Sequence, residues 1–264
     1  MIYPLSATFL VSLLAFIGIW LIHVRLGNAG VVDYYWGPGF AVIAMLHGMI
    51  SGFTLASAIV TLAVLVWAVR LSAYLFARHR KSGHEDARYA AMRAAGGGSF
   101  WWKSLFTVFL LQGLLQWVIA APLHALFSAS QVGEAGGFLF LMGMAMFVLG
   151  FVVESVADQQ VAQFKAEEPA SNGLMTSGLW KLVRHPNYLG EMILWCGIGL
   201  ASYAASNCLV ALAGPVILMA AMVFVSIPLT ETHLRHSRPQ YESYAARTPM
   251  LIPRLDALSG RKRA

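Results

Sequence analysis

The sequence predicts an all-α polytopic membrane protein, and two observations support this fold class. Of the 264 residues, 58% are hydrophobic and only 11% are charged, whereas a soluble domain carries about 25% charged residues. The chain also contains several apolar stretches of the length that a helix needs to cross a bilayer, which is about 20 residues. We therefore predict about seven transmembrane helices within one integral membrane domain, 1–264.

Seven apolar stretches are the candidates for these helices. They are 5–23, 31–50, 55–77, 105–127, 136–157, 188–205 and 208–228. Lys and Arg cluster in the connections after the first, third, fifth and seventh stretches, and the other connections carry neither residue. By the positive-inside rule, the N-terminus lies outside and the C-terminus is cytoplasmic. The net charge of +6 then reflects topology, and we expect no nucleic-acid partner.

The segment VVDYYWGPGF places a carboxylate and two phenols inside the second stretch. Ionisable residues in membrane spans usually face a cavity or the bundle interior, and they mark function. Asp33 followed by Tyr34 and Tyr35 is therefore a candidate proton-donor group. The alternative interpretation is an interfacial aromatic belt with a kink.

The same segment predicts one wall of an apolar cavity. Asp33, Trp36 and Phe40 share a helix face, and Gly37 and Gly39 leave room beside them. A flat apolar substrate would fit against such a wall.

Arg70 is the basic residue inside a predicted span, one helical turn before Tyr74. Arginine does not lose its charge in proteins, so Arg70 needs a partner. Two interpretations remain open. Arg70 forms an ion pair with a buried acid such as Asp33, or it contacts an anion such as a phosphate near the cytoplasmic end of the cavity.

Glu154 and Asp158 are spaced i, i+4 near the cytoplasmic end of the fifth stretch. Two like charges on one helix face repel each other unless a basic loop or a ligand's hydroxyl and amide groups lie between them. Side chains that extend to the membrane interface are the alternative. We expect no metal, because the chain has no HExxH motif and His233-x-x-His236 supplies too few ligands.

The segment RHPNYLGE predicts a binding site at the start of the sixth helix. Pro186 suits the first turn of a helix. The polar side chains around it are Arg184, His185, Asn187, Tyr188 and Glu191. A capped helix start needs one such group, so this cluster predicts a site for an anion or a nucleotide.

The segment from Glu231 onwards allows two interpretations. Its polar and aromatic residues are Glu231, His233, Arg235, Arg238, Tyr241 and Tyr244. They form either a basic amphipathic segment on anionic lipid or a set of phosphate contacts beside rings that stack on adenine.

GLWKLVRHPNYLGE and YESYAARTPMLIP resemble the steroid 5α-reductase superfamily, especially its bacterial membrane branch, and VVDYYWGPGF and GHEDARY are also similar to that branch. The resemblance covers most of the chain. It implies a seven-helix reductase in the bacterial inner membrane, which takes NADPH from the cytoplasm and an enone lipid, such as a 3-oxo-4-ene steroid, from the bilayer. The chain has no GxGxxG motif after a strand, so we expect no Rossmann site.

The resemblance also implies the residues that bind the cofactor. Asp158, Asn187 and Glu191 match family positions that hold it. Glu154 stands where relatives carry an amide, and Lys165 replaces an arginine. The full predicted cofactor set is Arg70, Glu154, Asp158, Lys165, Arg184, His185, Asn187, Tyr188, Glu191, His233, Arg235 and Tyr244.

The substrate side departs from the eukaryotic pattern, in which a Gln-Glu pair and a tyrosine polarise the substrate carbonyl. Asp33 falls near the family glutamate and Trp67 near the tyrosine, so another phenol is needed or the substrate differs. The predicted catalytic residues are Asp33, Tyr34 and Tyr35, and the predicted substrate contacts are Trp36, Phe40, Trp67 and Tyr74. Residues 1–128 are then mainly the substrate half and residues 129–264 mainly the cofactor half.

Two alternatives to a reductase remain open. Isoprenylcysteine carboxyl methyltransferases share the Arg-His-Pro-x-Tyr-x-Gly pattern and bind S-adenosylmethionine. A non-enzymatic lipid-binding or transport protein is the second alternative, but the paired broken helices of many transporters are not evident.

Overall fold

The computed structural model describes residues 2–82, 85–128, 134–167 and 173–253, and all the regular elements in these ranges are helical. Six helical segments there are long and apolar enough to cross a membrane. They are Tyr3–Leu26, Leu55–Arg80, Ala87–Ile119, Gly136–Glu167, Pro186–Ser206 and Leu209–Ser237. The predicted fold class, an all-α polytopic membrane protein, is confirmed, and the orientation of the termini stays a prediction.

Thirteen α-helices occur in the described ranges. They are α1 (Ile2–Leu26), α2 (Trp36–Ser51), α3 (Leu55–Ser82), α4 (Ala87–Gly96), α5 (Phe100–Ser104), α6 (Leu111–Ile119), α7 (Ala121–Leu126), α8 (Glu134–Glu167), α9 (Leu179–Leu182), α10 (Pro186–Ser206), α11 (Ala213–Ala221), α12 (Ile227–Ser237) and α13 (Tyr241–Arg247). Short 3₁₀ segments are Ala29–Tyr35, Gly97–Ser99 and Leu209–Leu212, and π-helical segments are Leu105–Leu110 and Met222–Ser226.

The predicted span 31–50 is divided between two elements. Its beginning lies in the 3₁₀ segment Ala29–Tyr35, where the Asn28 side chain accepts the N–H of Gly30. The remainder is α2, which has 16 residues, fewer than the roughly 20 that a spanning helix needs. The sequence therefore predicted the apolar character of this stretch, but the 3₁₀ segment shortens its α-helix.

The chain divides into two compact units. The first comprises Met1–Leu141 with Gly199–Gly214, and the second comprises Met142–Ile198 with Pro215–Ala264. The sequence predicted a boundary between the two halves after residue 128, whereas the first unit also includes the described residues 134–141. The assignment of the halves to substrate and cofactor stays a prediction.

The core of the first unit joins α1 and the first 3₁₀ segment to the region from α4 onwards. Its buried members are Phe16, Ala29, Val32, Tyr89, Phe100, Val108 and Phe109. Because Val32 and Tyr89 belong to the same packed cluster, this core holds the 3₁₀ segment that carries Asp33 against α4.

Gly37 and Gly39 bring α2 close to its neighbours in the first unit. A Cβ atom at Gly37 would lie 2.9 Å from the Cα of Ala68, and one at Gly39 would lie 2.2 Å from Oε1 of Gln116. Real Cβ atoms do not approach other atoms so closely. The two glycines therefore serve helix packing, and the open space predicted beside them is filled.

Four glycines form a seam between α8 and α10 in the second unit. They are Gly143 and Gly150 on α8, and Gly190 and Gly197 on α10, each pair separated by two helical turns. A Cβ at Gly150 would lie 2.4 Å from the carbonyl oxygen of Gly190, and one at Gly197 would lie 2.4 Å from that of Gly143. Small residues permit such close backbone approach between membrane helices.

We predict that Gly150→Ala destabilises the protein, because its Cβ would meet backbone atoms of α10. Overpacking of this kind costs about 1–3 kcal/mol. Thermal unfolding in detergent measures the effect. Gly137→Ala on the same helix is the control, since a Cβ there meets nothing within 4 Å. Equal stability of the two variants would contradict the seam.

Candidate functional site

The two acids predicted on α8 are buried in the second unit. Glu154 is 2% exposed and Asp158 is 4% exposed, and both make polar or electrostatic interactions. Side chains that extended to the membrane interface would be more exposed. Buried carboxylates need hydrogen-bond donors or cations around them, which makes this face of α8 a candidate binding site.

The start of α10 brings further polar groups to the same place. A Cβ at Gly190 would lie 2.5 Å from the backbone nitrogen of Glu154, so the turn that carries Asn187 and Glu191 lies against the Glu154 backbone. Asn187 and Glu191 are partly exposed. Carboxylate and amide oxygens accept hydrogen bonds. Such a group suits a ligand with hydroxyl and amide donors, such as the ribose and carboxamide of a nicotinamide cofactor.

Arg184 is engaged by the chain itself. Its Nε donates to Oε1 of Glu231 at 2.8 Å, and its Nη1 donates to the carbonyl oxygens of Ala245 at 3.2 Å and Thr248 at 2.8 Å. The side chains of Arg184 and Glu231 are 15% and 11% exposed. The assignment of Arg184 to the cofactor stays a prediction, and these contacts join Arg184 to Glu231 of α12 and to the segment that follows α12.

The backbone before α10 contacts the same segment. The N–H of Arg184 donates to the carbonyl of Pro249 at 2.9 Å, and that of His185 donates to the carbonyl of Met250 at 3.2 Å. Unpaired N–H groups at a helix start attract anions. These two N–H groups already donate to carbonyl oxygens of the protein, so they do not contribute to the predicted anion site.

His185 is buried between Glu231 and Tyr188. Its Nε2 lies 3.0 Å from Oε1 of Glu231, and its ring stacks on Tyr188 at 5.4 Å between centroids. Burial lowers the pKa of the His185 imidazole, and the contact with Glu231 opposes this shift only in part. The imidazole is therefore neutral near pH 7, with its Nε2–H donated to Glu231.

Four predicted cofactor residues of the second unit remain. Three of them lie at its surface, and the fourth, Tyr244, is buried. Lys165, His233 and Arg235 are exposed. Arg235 donates to Glu242 at 2.9 Å. The Tyr244 hydroxyl donates to the carbonyl of Trp180, so it packs within the protein. Three of these residues, Lys165, His233 and Arg235, are thus exposed, whereas Tyr244 has an internal contact.

Asp33, in the first unit, accepts hydrogen bonds from two residues of α4. The Tyr89 hydroxyl donates to Oδ1 at 2.7 Å, and Nη2 of Arg88 donates to Oδ2 at 3.2 Å. Nε2 of Gln112 donates to the Tyr89 hydroxyl oxygen at 3.1 Å. A carboxylate and a buried phenol therefore do lie together, but the phenol is Tyr89. The predicted partner Arg70 contacts the Tyr74 ring at 5.7 Å.

The two predicted phenols have other neighbours. The Tyr34 ring contacts Phe76 and His79, at 5.8 and 5.7 Å between centroids, and the Tyr35 ring contacts Phe16 at 5.5 Å. Sequence reasoning favoured these tyrosines because they adjoin Asp33 in the chain. Tyr89 was not among the predicted residues, although the signal was its place at the end of GHEDARY, one of the segments that resemble the superfamily. Gly83 and His84 of this segment lie outside the described residues.

Glu85 of that same segment holds the turn before Asp33. It accepts the backbone N–H of Ala29 at 2.6 Å and the Nη2 of Arg93 at 2.9 Å. Burial alone would raise the pKa of the Glu85 carboxyl, but the bonds from Arg93 and Ala29 outweigh it and the pKa is lowered. An ionised Glu85 therefore fixes the 3₁₀ segment that places Asp33 beside Tyr89.

Three of the predicted substrate contacts pack together in the first unit as an aromatic wall, and the cavity that this wall was expected to line stays a prediction. Trp36 lies 5.5 Å from Phe40, and Phe40 lies 6.0 Å from Trp67, between ring centroids. Phe40 and Trp67 are fully buried. Tyr74 lies apart from this wall, beside Arg70.

A separate apolar groove of about 360 Å³ lies between α1, α2 and α3. Its lining residues are Val11, Pro38, Ala41, Val42, Met45, Leu46, Met49, Leu65, Ala68 and Val69.

Within the ranges that the structure describes, no three His, Cys, Asp or Glu side chains meet as metal ligands.

Comparison with known proteins places the chain in a family. The family model described as "Protein of unknown function (DUF1295)" matches residues 19–248. The chain belongs to the DUF1295 family. This family is part of the steroid 5α-reductase superfamily, so the predicted resemblance to the superfamily is confirmed, and the bacterial origin stays a prediction. No solved structure matches the chain.

Individual relatives are distant. An uncharacterized protein of Schizosaccharomyces pombe is 26% identical over 272 residues, which cover 90% of this chain and 76% of that protein. The 3-oxo-5-alpha-steroid 4-dehydrogenase 1 of Rattus norvegicus is 27% identical over 116 residues, 43% of this chain and 41% of the rat protein. The steroid 5-alpha-reductase DET2 of Arabidopsis thaliana is 31% identical over 78 residues, 26% of this chain and 30% of the plant protein. The chain thus aligns with less than half of each reductase.

We predict that His185 makes the protein less stable in acid. Its pKa is lowered in the folded state, so the unfolded chain binds the proton more readily. The stability that neutral His185 contributes is present above its ordinary pKa of about 6.5 and is lost as the pH falls towards the folded-state value. Thermal unfolding between about pH 7.5 and 5.5 measures the loss, which should be smaller in His185→Gln.

His236→Gln is the control for this measurement, because His236 is exposed on α12 of the same unit. It should keep the wild-type pH dependence. If His185→Gln also keeps it, His185 is not the group that titrates.

Proposed function

We propose that this protein reduces the C=C bond of an enone lipid dissolved in the membrane, with NADPH as the reductant. The main structural observation in support is the contact of Gly190 with the Glu154 backbone. It brings the turn with Asn187 and Glu191 against the buried acids of α8. Membership of the steroid 5α-reductase superfamily and the apolar helices support the reaction class.

The second unit supplies groups that fit a nicotinamide dinucleotide. Glu154, Asp158 and Glu191 accept hydrogen bonds from ribose hydroxyls and amide groups, and Asn187 both donates and accepts. The exposed side chains of Lys165, His233 and Arg235 are assigned to the phosphates. When bound, NADPH supplies the hydride that the reduction needs. Arg184, His185 and Tyr244 shape the site through their internal contacts.

The first unit supplies a group that polarises the carbonyl. During enone reduction, negative charge develops on the carbonyl oxygen, and a nearby hydrogen-bond donor stabilises it. We assign this donor to the Tyr89 hydroxyl, whose single hydrogen would turn from Asp33 to the carbonyl oxygen when the substrate binds, while Gln112 holds the hydroxyl oxygen. The hydride would add to the β-carbon, a proton from water would add to the α-carbon, and the C=C bond would become a single bond. Trp36, Phe40 and Trp67 are assigned to the flat apolar body of the substrate.

Cofactor titration tests the proposal. Thermal stability of the purified protein is followed against NADPH and, separately, S-adenosylmethionine. We expect stabilisation by NADPH. Asp158→Asn should weaken the affinity by about tenfold, equivalent to about 1.4 kcal/mol, since a buried acceptor loses its charge. Glu167→Gln, an exposed acid on the same helix, should not.

The outcomes separate the rival functions. Stabilisation by S-adenosylmethionine alone would indicate a methyltransferase and reject the reductase. Stabilisation by neither compound would also reject the reductase and leave lipid binding or transport.

Replacement of the phenol tests the assigned donor. Tyr89→Phe removes the hydroxyl and keeps the ring in the core. We expect turnover of an enone steroid to fall about 100-fold or more, as when a positioned proton donor is removed, while the NADPH affinity is retained. Tyr34→Phe is the control and should keep turnover. If Tyr89→Phe turns over normally, Tyr89 has no part in the reaction.

A further inference from the structure

The segment 241–250, here called the tail segment, is anchored to the chain just before α10. Glu231 joins Arg184 and His185, with oxygen–nitrogen distances of 2.8 and 3.0 Å. Arg184 also donates to two carbonyl oxygens of the tail segment, and the Tyr244 hydroxyl donates to Trp180. All of these groups lie within the second unit.

The bonds of Arg184 argue against a direct contact of its Nε and Nη1 donors with a cofactor phosphate. The guanidinium has five N–H donors, and those on Nε and Nη1 face Glu231, Ala245 and Thr248. A phosphate that took over these donors would leave the Glu231 carboxylate, which is 11% exposed, without its main cation. Loss of one partner from a buried ion pair is strongly unfavourable.

The tail segment also determines where α10 begins. Pro249 and Met250 accept the N–H groups of Arg184 and His185, and α10 starts at the next residue, Pro186. Asn187 follows directly, and Glu191 lies one turn further. The position of this first turn therefore depends on the docked tail segment.

We propose that Arg184 is a positioning residue, which through Glu231 and the tail segment fixes the first turn of α10 and so presents Asn187 and Glu191 to the cofactor. This inference rests on the proposed function, because it assigns those two residues to NADPH. It makes tail docking and cofactor binding mutually dependent, so each must favour the other to the same extent.

Glu231→Gln distinguishes a positioning role from direct phosphate binding. If Arg184 bound a phosphate, removal of the competing carboxylate charge would leave the NADPH affinity unchanged or raise it. A positioning role predicts the opposite. The tail segment loosens, and the affinities for NADPH and NADH fall by the same factor, because the 2′-phosphate that distinguishes them does not contact Arg184.

The experiment uses the full chain in detergent, at a temperature at which each variant remains folded. It measures the affinities for NADPH and NADH, and the rate of tryptic cleavage after Arg247 with and without NADPH. For Glu231→Gln we expect faster cleavage and about tenfold weaker binding of both cofactors. NADPH should slow cleavage of the wild type.

Two further variants complete the design. Tyr244→Phe loosens the tail segment without altering a charge, and it should act in the same direction even if Glu231→Gln fails to fold. Glu167→Gln is the control, since Glu167 is an exposed acid at the end of α8 and lies outside the tail segment. It should leave cleavage and affinity unchanged.

Each contrary outcome has its own meaning. Unchanged or stronger NADPH binding in Glu231→Gln and Tyr244→Phe, or a loss confined to NADPH, overturns the positioning role. A wild type that binds neither cofactor overturns the proposed function, and with it the assignment of Asn187 and Glu191. Unchanged cleavage in both tail variants shows that these contacts do not anchor the tail segment and also overturns the inference.

Discussion

The close approach of α8 and α10 is the constraint on which the candidate cofactor site depends. Gly150 and Gly190 bring the two backbones to distances that no side chain would allow. In a membrane, helices gain little from burial of apolar surface, so close packing of small residues is a main source of their association. The same approach sets Glu154 and the start of α10 side by side. The glycine contacts that pack α8 against α10 in the second unit therefore also form the candidate cofactor site.

Polar contacts with Glu231 and with the segment after α12 further fix the start of α10. Glu231 is shared by Arg184 and His185, and the segment after α12 satisfies the backbone N–H groups that precede the helix. In the first unit, Glu85 has a comparable role, because it fixes the 3₁₀ segment before Asp33. Each unit thus uses a paired carboxylate to set the position of a short segment that carries candidate functional residues.

The sequence predicted the helical class, and it singled out the acid pair of α8 and the neighbouring rings of Trp36 and Phe40, because these features are local. A long apolar run, an i, i+4 spacing and a shared helix face are each contained in one element. The partner of Asp33 could not be predicted from a local pattern. Tyr89 lies 56 residues further along the chain, and the packed core brings it to the 3₁₀ segment that carries Asp33. Arg184 shows the same limit of local patterns. Its motif predicted an anion site, whereas residues 46 to 65 positions later in the chain supply its acceptors and those of its neighbour His185.

The central claim is that an enone lipid receives hydride from NADPH. It is tested most directly with NADPH deuterated at C4 of the nicotinamide, in each stereochemical form, an enone steroid and the purified chain, with the product analysed by mass spectrometry. We predict one deuterium on the β-carbon, from one of the two forms, and a hydrogen from water on the α-carbon. A product without deuterium, or a methyl group transferred from labelled S-adenosylmethionine, would contradict the claim.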